Sequence, residues 1–226
     1  EIHGLIGENG SGKSTFSSMV AGLYKPDEGH MTINGEDYSP ASTEDAALHR
    51  VALVVQEIGT IGPITVSANI FLNKEKQFSQ MGLINYAKMD REARRILDLI
   101  GGEHIDPKAR TDSLNLEDRK LVEIARAMYC EPEVLIIDET SNALTTRGRK
   151  ILYQNMCAVR DRGGAVLFIT HDLNELVQMC DSVTIMRDGI FVKTLKKSEM
   201  DAGYMKELMV GREIADNYYR PDFAPD

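Results

Sequence analysis

Cysteine is scarce in this chain. Cys130, Cys157 and Cys180 are odd in number and far apart. Neither a zinc site nor a redox pair is suggested by that spacing, and a reducing compartment fits it. Long apolar runs are missing too: none approaches the length of a membrane span, and no signal peptide is visible at the start. Positive charge is in deficit. Lys and Arg number 26 against 35 Asp and Glu, a net charge of −9, so the surface as a whole is not built to attract nucleic acid. A local basic patch stays compatible with that balance. What is present is a chain of 226 residues, 42% hydrophobic and 27% charged. That is enough for one large α/β domain with room for an inserted subdomain.

The first fifteen residues, "EIHGLIGENGSGKST", carry the strongest local signal. Gly7, Gly10, Gly12, Lys13 and Ser14 fit the phosphate-loop pattern G-x-x-x-x-G-K-[ST]. Ile2, Leu5 and Ile6 read as a short buried strand entering the loop. Phe16 to Leu23 reads as a helix leaving it, with Phe16, Met19, Val20 and Leu23 on one face. Glycines let the backbone approach oxygen atoms closely and reach positive φ. The N–H groups of Gly7, Glu8, Asn9, Gly10, Ser11, Gly12, Lys13, Ser14 and Thr15 then surround a phosphate at the positive end of a helix. Lys13 would neutralise β/γ-phosphate charge and the Ser14 hydroxyl would ligate Mg²⁺. An ordinary glycine turn explains the glycines but not the strand, the helix and the Lys-Ser pair together.

Further along, "VALVVQEIG" is an apolar run read as a buried strand ending at Gln56. The segment 64–130 differs in texture. "DREARRILDLIGG" sets Ala93, Ile96, Leu97 and Ile100 at helical spacing and stops at Gly101; "EDRKLVEIARAM" does the same with Leu121, Ile124, Ala125 and Met128. These are expected to be amphipathic helices with no intervening strand, their apolar stripes facing a core. Strands return in "EVLIIDET" and "GGAVLFITHD", apolar runs of the kind buried on both faces in a parallel sheet. A helix from about Thr146 to Arg162 separates them and another follows His171, an alternation that argues for α/β with a parallel sheet. "SVTIMRDGIFVKTL" reads as a hairpin turning at Asp188-Gly189. From about 211 the chain becomes polar.

Asp138 follows the four apolar residues Val134 to Ile137. At the carboxyl end of a central strand it lies beside the phosphate-loop crevice, where it can hold Mg²⁺. Glu139, next in sequence, is placed to polarise a water against the γ-phosphate. Read alone, the pair is a solvated start to a loop. His171 ends its own strand and can hydrogen-bond the γ-phosphate or the attacking water; a lone histidine there is most often structural. His3, His30, His49 and His104 have no convergent partner in the sequence.

The order phosphate loop, Gln56, Asp138-Glu139, His171, each after a strand, resembles the nucleotide-binding domain of ABC transporters over essentially the whole chain. "GENGSGKST" matches the Walker A loop, "VVQE" the glutamine loop, "LIIDE" Walker B, "SNALT" the D-loop and "FITHD" the switch histidine. The resemblance implies a P-loop NTPase (RecA-like) α/β fold. Within it, 1–63 and 131–210 form the ATP-binding core, 64–130 a helical subdomain, and 211–226 the start of a linker. It implies ATP and Mg²⁺ as ligands, with Gln56 sensing both γ-phosphate and metal, Ser14 and Asp138 on the metal, and Glu139 and His171 catalytic. Softer segments, "VQEIGTIGPITVSANIFL" and "LMVGRE" among them, look like the first ATPase half of carbohydrate importers. That implies a second ATP-binding half, transmembrane permease subunits, indirectly an extracytoplasmic solute-binding protein, and a place on the cytoplasmic membrane face. Nucleic acid is not an expected partner. Family members carry strands and an adenine-stacking aromatic before the loop, so on this expectation the chain starts late.

The family's Leu-Ser-Gly-Gly-Gln signature aligns with Leu114-Asn115-Leu116-Glu117-Asp118. Asn115 can still cap the following helix, but Glu117 would set a carboxylate near a partner's γ-phosphate. Thr140, where proline is usual, and Asn142 are departures expected to be tolerated. Three other functions compete with the importer reading. A non-transport ABC ATPase would act on nucleic acid or ribosomes. A regulatory subunit would bind ATP with little turnover, and a P-loop kinase is disfavoured by the helical insertion.

Overall fold

The phosphate loop is entered from β1 (Ile2–Ile6), four of whose five residues are buried, and left through α1 (Lys13–Val20). A two-stranded hairpin of β2 (Met31–Ile33) and β3 (Glu36–Tyr38) follows. Next come α2 (Thr43–Leu48), capped by the Ser42 hydroxyl, and β4 (Val51–Val54). Then the chain builds α3 (Val66–Ile70), the short hairpin β5 (Ser79–Gln80) and β6 (Leu83–Ile84), α4 (Tyr86–Ile100) and α5 (Leu116–Tyr129). It returns through β7 (Val134–Asp138), α6 (Thr146–Asp161), β8 (Ala165–Ile169), α7 (Leu173–Met179), β9 (Ser182–Arg187), β10 (Ile190–Lys196) and α8 (Ala202–Val210). The structure is a computed structural model and describes residues 1–80 and 82–211. The stretch 212–226, expected to begin a linker, lies outside the described residues.

The main sheet runs β10-β9-β1-β8-β7-β4. Its five inner and distal strands pair in parallel, and only β10 is antiparallel. The registers Leu5↔Ile169, Asp138↔Ile169 and Val54↔Ile137 bring the carboxyl ends of β1, β8, β7 and β4 to one edge. Loops leaving that edge therefore share one crevice, the usual place for a ligand in such a sheet. β8 lies between β1 and β7, so its loop stands between the other two.

One large core joins Ile2, Ile6, Val166, Phe168, Ile137 and Leu135 of the sheet to Leu121, Ile124 and Ala125 of α5 and to Ala93, Ile96, Leu97 and Ile100 of α4. The apolar stripes read from the sequence are thus buried. Asn85 caps α4 through the Lys88 N–H, and Gly101 ends it in the left-handed region at φ 90°, which a side chain there would strain. A smaller cluster of Ala21, Tyr38, Ala46, Val51 and Ile136 seals the other face.

No strand separates α4 from α5, as the two helical patterns led one to expect. A short hairpin, β5 and β6, precedes α4, paired in register Ser79↔Ile84 and Gln80↔Leu83, and two-residue strands leave no periodicity to read. Two expectations are corrected. The helix after the loop is Lys13–Val20 rather than Phe16 to Leu23, and the residues it buries are Lys13 and Ser17, while Phe16 and Leu23 are 40% and 51% exposed. The loop turns the helix so that its polar first turns look into the crevice. Gln56 does not end a strand, because β4 stops at Val54.

Candidate active site

The loop after β1 wraps on glycine. Gly10 and Gly12 sit at φ 82° and 94°, and a Cβ on Gly7 would come within 2.3 Å of the Met186 carbonyl oxygen. Lys13 folds into this cradle. It is 5% exposed, and its Nζ donates to the carbonyls of Gly7 (2.9 Å) and Glu8 (3.0 Å) and reaches Ser11 Oγ at 3.4 Å. Burial lowers its pKa, while the nearby carboxylates of Glu139 and Asp138 pull it back up. A cationic amine held by carbonyls in a ring of backbone N–H groups is ready to exchange those carbonyls for phosphate oxygens.

Asp138 closes β7 and is 8% exposed. Its Oδ2 accepts from Ser17 Oγ at 3.3 Å, whereas Oδ1 is buried without a hydrogen-bond partner among the described residues. Burial raises its pKa, and the hydroxyls of Ser17 and Ser14 partly offset that. An orphaned buried carboxylate oxygen beside a serine hydroxyl is a hard oxygen donor set of the kind Mg²⁺ takes. Asp138 and Ser14 therefore fit the ion as candidate ligands.

Glu139 follows with φ 45°, a left-handed backbone that is costly for a residue with a Cβ. Its N–H donates to the Ile169 carbonyl at 2.9 Å, which ties the end of β7 to that of β8. The turn sets its carboxylate toward His171, whose Nδ1 lies 3.8 Å from Glu139 Oε2. His171 is 60% exposed and Glu139 15%. A sheltered carboxylate thus faces an accessible imidazole, with Lys13 beyond.

The fold gathers Lys13, Ser14, Asp138, Glu139 and His171, and Gln56 follows β4, whose carboxyl end lies at the same edge of the sheet. Gln56 is exposed, and its side chain makes no hydrogen bond among the described residues. Its backbone is instead fixed by a group the sequence reading passed over. Lys120, 0% exposed, sends Nζ to the carbonyls of Val55 (2.9 Å), Gln56 (3.4 Å) and Glu57 (2.8 Å) and to Glu123 Oε2 (2.9 Å). Glu123 Oε1 in turn accepts from the Gly59 N–H at 2.7 Å. Thr140 was also missed as a link: its buried hydroxyl reaches the Asp138 carbonyl at 3.2 Å and the Val54 carbonyl at 3.5 Å.

Asn115 caps α5, its Oδ1 accepting from the Asp118 N–H at 2.8 Å. Glu117 does not stand free. Its Oε2 accepts from the Thr145 N–H at 2.7 Å, at the start of α6. Hydrogen bonding to Thr145 holds this carboxyl below the usual range, with Arg147 and His104 adding to the effect. Three of the four histidines set aside in the sequence have partners. His104 Nε2 lies 2.7 Å from Asp118 Oδ1, and His3 meets Thr184 Oγ1 at 2.8 Å and Ser182 Oγ at 2.7 Å. His49 meets the Asp45 carbonyl at 3.0 Å, four residues before it. The His3 contacts join strands distant in sequence, so spacing did not reveal them.

Comparison with known proteins places this geometry. The ribose import ATP-binding protein RbsA of Chromobacterium violaceum is 38% identical over 225 residues, covering 100% of this chain and 44% of the relative. The arabinose import ATP-binding protein AraG of Pseudomonas syringae pv. tomato is 37% identical, covering 97% of this chain and 43% of the relative. The chain thus spans less than half the length of these curated relatives. Among solved structures, an ATP-binding cassette of an ABC transporter in its ADP conformation superposes with a TM-score of 0.76 at 21% identity, covering 94% of this chain and 88% of its own. The cbiO1 protein of Clostridium perfringens, part of the ABC transporter complex cbiONQ, gives 0.71 at 23% identity, covering 91% and 81%. The likeness to both is one of fold, the P-loop NTPase α/β fold. The family model described as ABC transporter matches residues 1–142, more than half of the 226, and the chain belongs to that family.

Proposed function

We propose that this chain binds and hydrolyses ATP to energise an importer for a sugar or a related small solute. The observation that carries the reading is the convergence of Lys13, Asp138, Glu139 and His171 at one edge of the sheet. Lys13 would turn its ammonium from the loop carbonyls to β/γ-phosphate oxygens. Asp138 and Ser14 would hold Mg²⁺, which when bound screens the charge of the triphosphate. Glu139 would accept a proton from water aimed at the γ-phosphate, and His171 would hold that water or the phosphate in line. Gln56, on its Lys120-held backbone, would sense the γ-phosphate and the metal.

Sugar import is supported by the names of the relatives, ribose and arabinose import among them. Their greater length supports a second ATP-binding half. Permease subunits, and indirectly an extracytoplasmic solute-binding protein, would complete the assembly at the cytoplasmic membrane face. No helix among the described residues is long and apolar enough to cross a membrane. The test is phosphate release by the full-length protein with Mg-ATP, paired with uptake of labelled ribose and arabinose by membrane vesicles. Turnover that needs Glu139 and uptake that needs ATP are expected. Turnover stimulated by nucleic acid or ribosomes, with no uptake, would favour the non-transport reading.

A further inference from the structure

Glu175 is a buried carboxylate that the proposed chemistry does not use. It lies in the first turn of α7 and is 6% exposed. Its Oε2 accepts two hydroxyl hydrogen bonds, from Ser141 Oγ at 2.7 Å and from Thr170 Oγ1 at 3.0 Å. Ser141 lies two residues after Glu139, and Thr170 immediately precedes His171. Thr170 Oγ1 also accepts from the Asp172 N–H at 3.1 Å, so His171 is held from both flanks. Oε1 makes no hydrogen bond among the described residues and faces Arg149 Nη1 at 3.3 Å. Arg149 Nε donates to the Ser141 carbonyl at 3.1 Å, which fixes Ser141 a second time.

We infer that Glu175 is a positioning residue that sets the separation of Glu139 from His171 by clamping the loops on which they stand. The inference rests on the ATPase reading of the same site. An ionised carboxylate only accepts, so one oxygen can take both hydroxyls at once. The clamp joins two loops that leave adjacent strands, β7 and β8, where parallel pairing ends and nothing in the ladder holds them further. The left-handed Glu139 sits in the unladdered stretch. Without the clamp the Glu139 N–H bond to Ile169 remains as the direct tie between the ends of β7 and β8 beside the 3.8 Å approach of His171 to Glu139. Misplacement of a reacting group by about 1 Å can cost about a hundredfold in rate.

The test uses the full-length protein with Glu175→Gln, Glu175→Ala, Ser141→Ala and Thr170→Val. Each is assayed for kcat and KM of ATP hydrolysis, for Kd of a fluorescent ATP analogue, and for thermal unfolding. Glu175→Ala is expected to lower kcat about 10- to 100-fold with Kd nearly unchanged. Glu175→Gln, which keeps an acceptor oxygen, should recover part of the loss. The hydroxyl variants should each lower kcat less and should add little on top of Glu175→Ala, because they share its link. Unchanged kcat in Glu175→Ala overturns the inference. So does a parallel fall of kcat, affinity and melting temperature across the set, the hydroxyl variants included, since that pattern marks a merely structural carboxylate. Absence of hydrolysis in the unsubstituted protein would instead overturn the ATPase reading.

Discussion

Asp138 is the residue whose environment is most at odds with its charge. Burial raises its pKa, and one of its oxygens has no partner. The folded state therefore binds a proton more tightly than the unfolded state. Free of metal, the protein gains stability as pH falls through the folded pKa, the gain being complete below the unfolded value. Asp138→Asn removes the buried charge. It is expected to raise the metal-free melting temperature at neutral pH by roughly 2–4 °C, equivalent to about 1 kcal/mol. The advantage should vanish on acidification, which scanning calorimetry across that range checks; an advantage that persists in acid would contradict it. Lys13 carries the complementary expectation. Lys13→Ala leaves a triphosphate facing backbone dipoles alone, so Mg-ATP affinity should fall by at least about tenfold, the 1.4 kcal/mol step of a weak charge-assisted bond. Equal titration curves with a fluorescent ATP analogue would sink the phosphate-loop assignment. Both residues were legible because they sit in short, spaced patterns after apolar strands. Thr140 and Glu175 were not, since each acts through partners more than thirty residues away in sequence, Val54 and Ser141.

At the scale of elements, α5 is the joint between the helical segment and the crevice. Its apolar face was read correctly from "EDRKLVEIARAM", with Leu121, Ile124 and Ala125 at most 1% exposed. The same helix has a second buried face that hydropathy periodicity counts as solvent-facing. Arg119 donates to Thr60 Oγ1 at 3.1 Å, Lys120 to three consecutive carbonyls, and Arg126 to the Asn69 carbonyl at 2.8 Å. Loop 55–61 has no ladder of its own and takes its shape from this face. Replacing one member of a buried ion pair leaves the other uncompensated, at a cost of about 3–5 kcal/mol. Lys120→Met is therefore expected to lower stability by that order in urea unfolding, and Lys120→Met with Glu123→Leu by distinctly less. If the double variant is as unstable as the single, loss of the carbonyl contacts outweighs the stranded Glu123. A lysine in an amphipathic helix reads as surface, and only the fold shows that its amine is enclosed.

For the whole molecule, the proposed assembly pairs this chain's phosphate loop with another half's signature loop and its own signature with the other half's nucleotide. The segment Leu114 to Asp118 keeps the helix cap but has Glu117 where the family resemblance implies glycine. In the free chain Glu117 is drawn to the Thr145 N–H, toward the start of α6. Any approach of a second nucleotide would have to contend with an ionised group that this bond stabilises. Two like unit charges about 4 Å apart repel by up to about 4 kcal/mol at an effective dielectric near 20. The expected result is one working site, built on Lys13, Asp138 and Glu139, and one weak site at Glu117. Glu139→Gln in the full-length protein should then abolish nearly all steady-state phosphate release while ATP stays bound. Glu117→Gln, whose amide oxygen can still accept from Thr145, should change release little. If Glu139→Gln retains about half the activity, the two sites contribute equally and the asymmetry is wrong. If Glu117→Gln raises turnover towards double, the carboxylate had silenced a second site otherwise fit to work.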